Sequence, residues 1–152
     1  MNISRSALLP YSARQMYDVV ADISAYPAFL KWCIDTEILN DSSSAAGNET
    51  KHEVVAKIII AYKKMHMNFT TRNLNDVGRS IKIDLVEGPL SALQGEWIFQ
   101  ELEEKACKVS IDMQFDFKKS LTNKIMEKIF SSIVTAQFDA FIARAKKLYG
   151  DN

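Results

Sequence analysis

From Cys107 to Phe117 the chain reads CKVSIDMQFDF, and from Val109 onward its alternation has no exception. Val109, Ile111, Met113, Phe115 and Phe117 fall on one side of an extended backbone. Lys108, Ser110, Asp112, Gln114 and Asp116 fall on the other. Successive side chains of a strand point to opposite faces, so this segment divides a core from water. An antiparallel sheet covered on one face offers such a place.

Earlier segments repeat the pattern. NISRSALL reads as a first short strand, and Ile38 lies in another. Val54, Ala56, Ile58, Ile60 and Tyr62 share a face, as do Met65, Met67, Phe69 and Thr71, then Ile81, Ile83 and Leu85. Glu87-Gly88-Pro89 marks a turn, after which Leu93, Gly95, Trp97 and Phe99 resume the alternation. NDSSSAAGN is a loop by composition.

Two stretches have a helical period instead. YSARQMYDVVA opens with Ser12 and Gln15 at capping-box spacing, followed by an apolar stripe of Met16, Val19 and Val20. From about Leu121 to Tyr149 neither Gly nor Pro interrupts the chain. Ile125, Ile129, Phe130, Ile133, Val134, Phe138, Phe141, Ala145 and Leu148 form a broad stripe there, and Gly150 is a stop. Between these lies DISAYPAFLKWC, with Tyr26, Phe29 and Trp32 inside seven residues. Pro27 suits the first turn of a second short helix, with Tyr26, Phe29, Leu30 and Cys33 on one face. The expected order is strand, two short helices, about six more antiparallel strands and one long helix. A curved sheet wrapping the long helix buries both apolar faces. No linker or repeat divides residues 1–152, so one domain is expected.

The chemistry-bearing residues are sparse. His52 and His66 fall in strands, and His66 shares a polar face with Lys64, Asn68 and Thr70, the setting of a solvated histidine. No HExxH, nucleophile elbow or phosphate-binding glycine pattern occurs, so neither catalytic residues nor a metal site nor a catalytic cofactor is expected. Cys33 and Cys107 have no metal-ligand spacing and read as reduced small hydrophobes. With no secretory h-region and no apolar run of membrane-spanning length, a cytoplasmic protein is expected. The charges balance at 19 basic and 19 acidic residues, but Asp84 to Glu104 holds six acids and no Lys or Arg. From Lys118 onward seven basic residues face three acids. No DNA partner is expected.

Four stretches carry a resemblance: LPYSARQMYDVVADISAYPAFLKWC, EGPLSALQGEWIF, VSIDMQFDF and AFIARAKKLYG. In this order, over nearly the whole chain, they resemble the coenzyme Q-binding family of START-like, helix-grip proteins. That family belongs to the polyketide cyclase and lipid transport superfamily, and its bacterial members include ribosome-association toxins. The resemblance implies an α+β helix-grip fold, six or seven antiparallel strands around a long C-terminal helix, and a cavity for an isoprenoid quinone, ubiquinone above all. It equally implies association with the large ribosomal subunit that blocks subunit joining. The superfamily's cyclases keep an enzymatic reading open. At Lys31 and Leu90 the chain departs from the family, which tends to have proline and phenylalanine there; both departures bear on ligand choice.

Periodicity alone does not separate a filled core from a ligand wall; the resemblance favours a cavity. The candidate ligand residues are Tyr26, Phe29, Leu30 and Trp32 from the aromatic segment and Met67 and Phe69 from one strand. Pro89, Leu90, Leu93, Trp97 and Phe99 come from the next turn and strand, and Met113 and Phe115 from the last. Met126, Phe130, Ile133 and Gln137 come from the long helix. Methionine and aromatic side chains make an adaptable apolar wall. Gln137 falls inside the apolar stripe, where an amide requires a partner: the sheet, a water or a quinone carbonyl. The aromatic segment is expected at the cavity mouth, with Trp32 at the rim and Gly88, Pro89 and Leu90 as the opposing lip; the alternative is a permanently docked core helix. Lys118, Lys119, Lys124, Lys128, Lys146 and Lys147 are the candidates for rRNA phosphate, and a peripheral contact at the inner face of the membrane fits quinone binding.

Overall fold

The computed structural model describes residues 1–42, 50–62, 64–117 and 124–150, with Met65 and Ile125 described by backbone alone. The elements are β1 (Asn2–Leu9), α1 (Ala13–Ala21), a 3₁₀ turn (Ile23–Ala25), α2 (Tyr26–Phe29), β2 (Cys33–Asp41) and β3 (Lys51–Tyr62). They continue with β4 (Met65–Asp76), β5 (Ser80–Glu87), β6 (Leu90–Glu103), β7 (Ala106–Phe117) and α3 (Lys124–Tyr149). The strands form a seven-stranded antiparallel sheet in the order β1-β7-β6-β5-β4-β3-β2. Every neighbour except the β1–β7 pair is consecutive in sequence.

In β7 the alternation holds throughout: Val109, Ile111, Met113, Phe115 and Phe117 are buried, while Lys108, Asp112, Gln114 and Asp116 are exposed. α3, 26 residues and about 39 Å long at 1.5 Å per residue, packs on the inward face of the sheet. Its Phe130 meets Phe69 and Phe115 at ring separations of 5.7 and 4.5 Å, and its Phe138 and Phe141 meet Trp97 at 6.0 and 5.4 Å. Burying each phenylalanine stabilises the fold by roughly 1.5–3 kcal/mol. α3 ends at Gly150, whose φ of 77° is in the left-handed region and whose N–H donates to the Lys146 carbonyl at 2.8 Å. Tyr11 Oη donates to the Gly150 carbonyl at 2.9 Å, and Tyr149 Oη to the Gln15 carbonyl at 3.3 Å. These bonds join the helix end to the start of the chain.

The capping box forms as its spacing predicts. Gln15 N–H donates to Ser12 Oγ at 3.1 Å, and Ser12 N–H donates to Gln15 Oε1 at 2.9 Å. Gly78, at φ 78°, makes the tight turn from β4 to β5.

Other expectations are corrected. The second short helix stops at Phe29, because Leu30 is already extended; Cys33 opens β2 and so shares no helical face with Tyr26. The strand holding Ile38 is nine residues long, and Ile38 itself is exposed. Leu148 is exposed as well, and it is Tyr149 that packs inward, against Tyr11. Asn40 and Asp41 of the expected loop belong to β2. Most of the remainder of that loop, the first three residues of the expected long helix, and Lys118 and Lys119 lie outside the described residues.

Candidate functional site

The sheet and α3 do not meet everywhere. Between them lies a cavity of about 90 Å³. Its apolar wall is made by Ile58, Ile60, Phe69, Ile81, Ile83, Leu93, Trp97 and Met113 from the sheet and by Phe130, Ile133 and Val134 from α3. Val20, Ala21, Ile23, Tyr26 and Trp32 close it from the helical segments. The alternation of β4 brings in a different chemistry. Its inward positions run Met67, Phe69, Thr71, Asn73, Asn75, so the strand changes from apolar to polar as it crosses the cavity. Thr71, Asn73 and Asn75 are each at least 92% buried, with relative exposures of 5, 8 and 5%. Thr71 Oγ1 donates to Asn73 Oδ1 at 3.0 Å. Asn75 turns its amide toward the Tyr17 side chain, and its Oδ1 has no hydrogen-bond partner among the described residues.

Of the expected ligand residues, Tyr26, Trp32, Phe69, Leu93, Trp97, Met113, Phe130, Ile133 and Gln137 line this space. The others do not reach it. Leu30, Met67 and Leu90 are buried in the core beside it. Phe99 stacks behind Trp97 and meets Tyr17, and Phe115 packs into Phe117 and Phe130. Phe29 lies between Phe141 and Arg144, whose guanidinium carbon is 5.1 Å from the ring centre. Met126 and Pro89 are half-buried away from the cavity.

The mouth is also displaced. Trp32 is buried rather than at a rim, and its carbonyl accepts from the Ala61 N–H at 2.8 Å. Tyr26 Oη donates to the Val20 carbonyl, and its ring meets Phe141 at 5.3 Å, which docks α2 in the core. At the Gly88–Leu90 end, the rings of Phe69, Phe115, Phe117 and Phe130 fill the interior. The cavity comes near solvent on the opposite side. There Ala21, Ile23 and Asn75 also line an outer cleft of about 320 Å³ that holds Arg14, Asp41 and His52. A larger cleft of about 1000 Å³ lies where β5 and β6 diverge beyond Asp84 and Gln94. Asp84, Glu87 and Asp116 line it, and it is open to water, unlike an apolar ligand site.

Burial governs the titratable groups here. It pushes the Tyr26 phenol above the ordinary tyrosine range and raises Tyr17, the latter against the Asn75 amide. It raises the Cys33 and Cys107 thiols to about 11; both cysteines are free. Among the described residues no group of three His, Cys, Asp or Glu side chains converges as a metal would require, and no helix is long and apolar enough to cross a membrane. Lys124, Lys128, Lys146 and Lys147 are exposed on α3.

An antiparallel sheet gripping a C-terminal helix around a mainly apolar cavity defines the START-like, helix-grip class of α+β proteins. The chain belongs to the polyketide cyclase / dehydrase and lipid transport family, whose model matches residues 9–142. It is 40% identical over 149 residues, 98% of each chain, to the Ribosome association toxin RatA of Pseudomonas aeruginosa. It is 35% identical over 147 residues to the protein of that name from Escherichia coli, covering 97% of this chain and 88% of the other. A more distant relative is the Coenzyme Q-binding protein COQ10 homolog B, mitochondrial, of Xenopus laevis. That similarity is 26% over 151 residues, covering 97% of this chain and 59% of the other. Among solved structures, an 18 kDa protein from Caulobacter crescentus superposes with a TM-score of 0.76 at 26% identity, covering 99% of both chains. The Zhui aromatase/cyclase of a Streptomyces species superposes with 0.82 at 15% identity, covering 97% and 94%, a likeness of fold.

The sequence reading missed Asn73 and Asn75. It followed the inward positions of β4 only as far as Thr71; two more steps of the same alternation reach both amides.

Proposed function

We propose that this protein associates with the large ribosomal subunit in the bacterial cytoplasm and limits subunit joining. The observation that carries this reading is the similarity, at 35–40% identity over nearly the full chain, to proteins named ribosome association toxins. The exposed Lys124, Lys128, Lys146 and Lys147 on α3 supply cationic groups for rRNA phosphate. Sedimentation of purified ribosomal subunits with the protein tests it. The protein should travel with the large subunit at about 50 mM salt and be released well before about 300 mM, because phosphate contacts give up condensed counterions. Charge reversal at Lys124 and Lys128 should weaken the association and flatten its salt dependence. A protein that stays at the top of the gradient at low salt would sink the reading.

The cavity favours a second function that can coexist with the first: holding an isoprenoid quinone such as ubiquinone in support of respiration, met by peripheral contact at the membrane. An apolar wall with one polar side suits a ring bearing oxygen substituents. At about 90 Å³ the space is well below the roughly 300 Å³ of drug-sized pockets. A cavity that takes a benzene ring measures about 150 Å³, so head group and prenyl tail alike have to displace adaptable side chains such as Met113 or extend past Ala21 and Asn75. Solvent extraction and mass spectrometry of the purified protein should recover the quinone in near-stoichiometric amount; protein extracted free of quinone would speak against this reading.

A further inference from the structure

We infer that the cavity holds the ring of a ligand whose polar end carries a hydroxyl group, a phenol or hydroquinone, and that Asn75 Oδ1 accepts its proton. For a quinone this means the reduced form. The inference rests on the small-molecule reading of the cavity and adds to it the sense of the hydrogen bond.

A buried amide oxygen without a partner forfeits its hydration, a cost that native structures rarely leave unanswered. Asn75 Oδ1 is such an atom, and its residue lines the cavity. It lies at the end of an inward polar row in which Thr71 already spends its proton on Asn73. An oxidised quinone carbonyl can accept from the Asn75 amide N–H but cannot donate, so it leaves Asn75 Oδ1 without a partner. A hydroxyl satisfies it. The rest of the wall suits an aromatic ring: Trp97 and Phe69 from the sheet, Phe130 from α3 and Trp32 beside α2. Gln137, half-buried on the α3 wall, brings an amide N–H for a second oxygen of the ligand.

Both tryptophans of the chain, Trp32 and Trp97, line the cavity, so intrinsic fluorescence reports its occupancy. The test is titration of the intact protein with 4-hexylphenol and with its methyl ether, 4-hexylanisole. The two match in ring and tail, but only the phenol donates a hydrogen bond. The phenol should bind on the order of tenfold more tightly, and Asn75→Leu should abolish that preference while the ether still binds. Asn75→Val, suited to a strand, replaces the leucine variant if circular dichroism shows the latter unfolded. Equal binding of phenol and ether by the unaltered protein overturns the donor assignment but leaves the cavity reading standing. A preference that survives in the folded variant overturns the role of Asn75. Failure of both ligands to alter the fluorescence removes the cavity reading and this inference together.

Discussion

Asn75 and Gln137 present two side-chain amides to one cavity, and the chain announces them differently. Gln137 interrupts an apolar helical stripe, so its position is conspicuous in sequence. Asn75 lies next to the last residue of its strand, beside Asp76, and looks like the start of a turn, yet the alternation of β4 continues to it and turns it inward, opposite His52 and Ile81. Gln137 is half-buried, and none of the described residues hydrogen-bonds to its amide. Gln137→Leu should therefore stabilise the protein by about 0.5–1 kcal/mol through added apolar burial. The melting midpoint should rise by about 1–4 °C for a chain of this size. A lower midpoint in thermal denaturation would reveal a structural partner for the amide. If the amide serves a ligand, the same variant should weaken phenol binding while it raises the midpoint, a separation that loss of packing would not produce.

Pairing between elements sets the cavity's size. Gly95 on β6 stands opposite Met113 on β7, and a Cβ there would come within 2.7 Å of the Met113 sulfur and 3.0 Å of its methyl carbon. The thioether has to move, and the open space is the cavity it lines. Gly95→Ala should leave a folded protein, destabilised by about 1–2 kcal/mol, whose ligand affinity falls at least tenfold; undiminished affinity by tryptophan fluorescence would show that Met113 yields elsewhere. The helices make a simpler case. The capping box of α1 forms within four residues, so it was legible from Ser12 and Gln15. Ser12→Ala should cost about 1 kcal/mol, seen as a lower urea midpoint with unchanged slope. α2 was legible only as a helix near Pro27. Whether its aromatic residues guard a mouth or join the core depended on Phe141 and Val20, distant or outside its own turn, and the contacts make it a docked element.

Across the whole molecule, burial of uncharged acids ties stability to alkaline pH. Cys33 and Cys107 have folded pKa values of about 11 against 9.0 for the free thiol, both through burial. Below about pH 9 folded and unfolded chains both keep these protons, and the contribution is complete. Between 9 and 11 only the unfolded chain releases them, so stability should fall as pH rises through that window. Tyr17 and Tyr26, raised in the same direction, extend the decline upward. Denaturant midpoints at pH 8, 9.5 and 10.5 should descend in that order. A flat profile would mean the thiols ionise in place. A thiol reagent at pH 8 should modify the native protein far more slowly than the urea-unfolded chain.

What the sequence determined by itself was whatever depends on period and nearest neighbours. Alternation assigned β3 to β7 and their inward faces, the apolar stripe from Ile125 to Ala145 assigned the long helix, and the cap of α1 and the stop after α3 marked helix ends. These are local properties, fixed by backbone geometry within a few residues. The sheet's consecutive order followed from short connections, whereas the β1–β7 pairing, which brings Asn2 opposite Gln114, needed the closed tertiary structure. Tertiary structure alone decided which inward residues face open space and which face one another. Phe115 and Trp97 read alike in sequence, yet Phe115 is spent against Phe130, and Trp97 borders the cavity. A cavity is the volume left when side chains from distant segments fail to meet, and no single segment's pattern records what its partners leave unfilled.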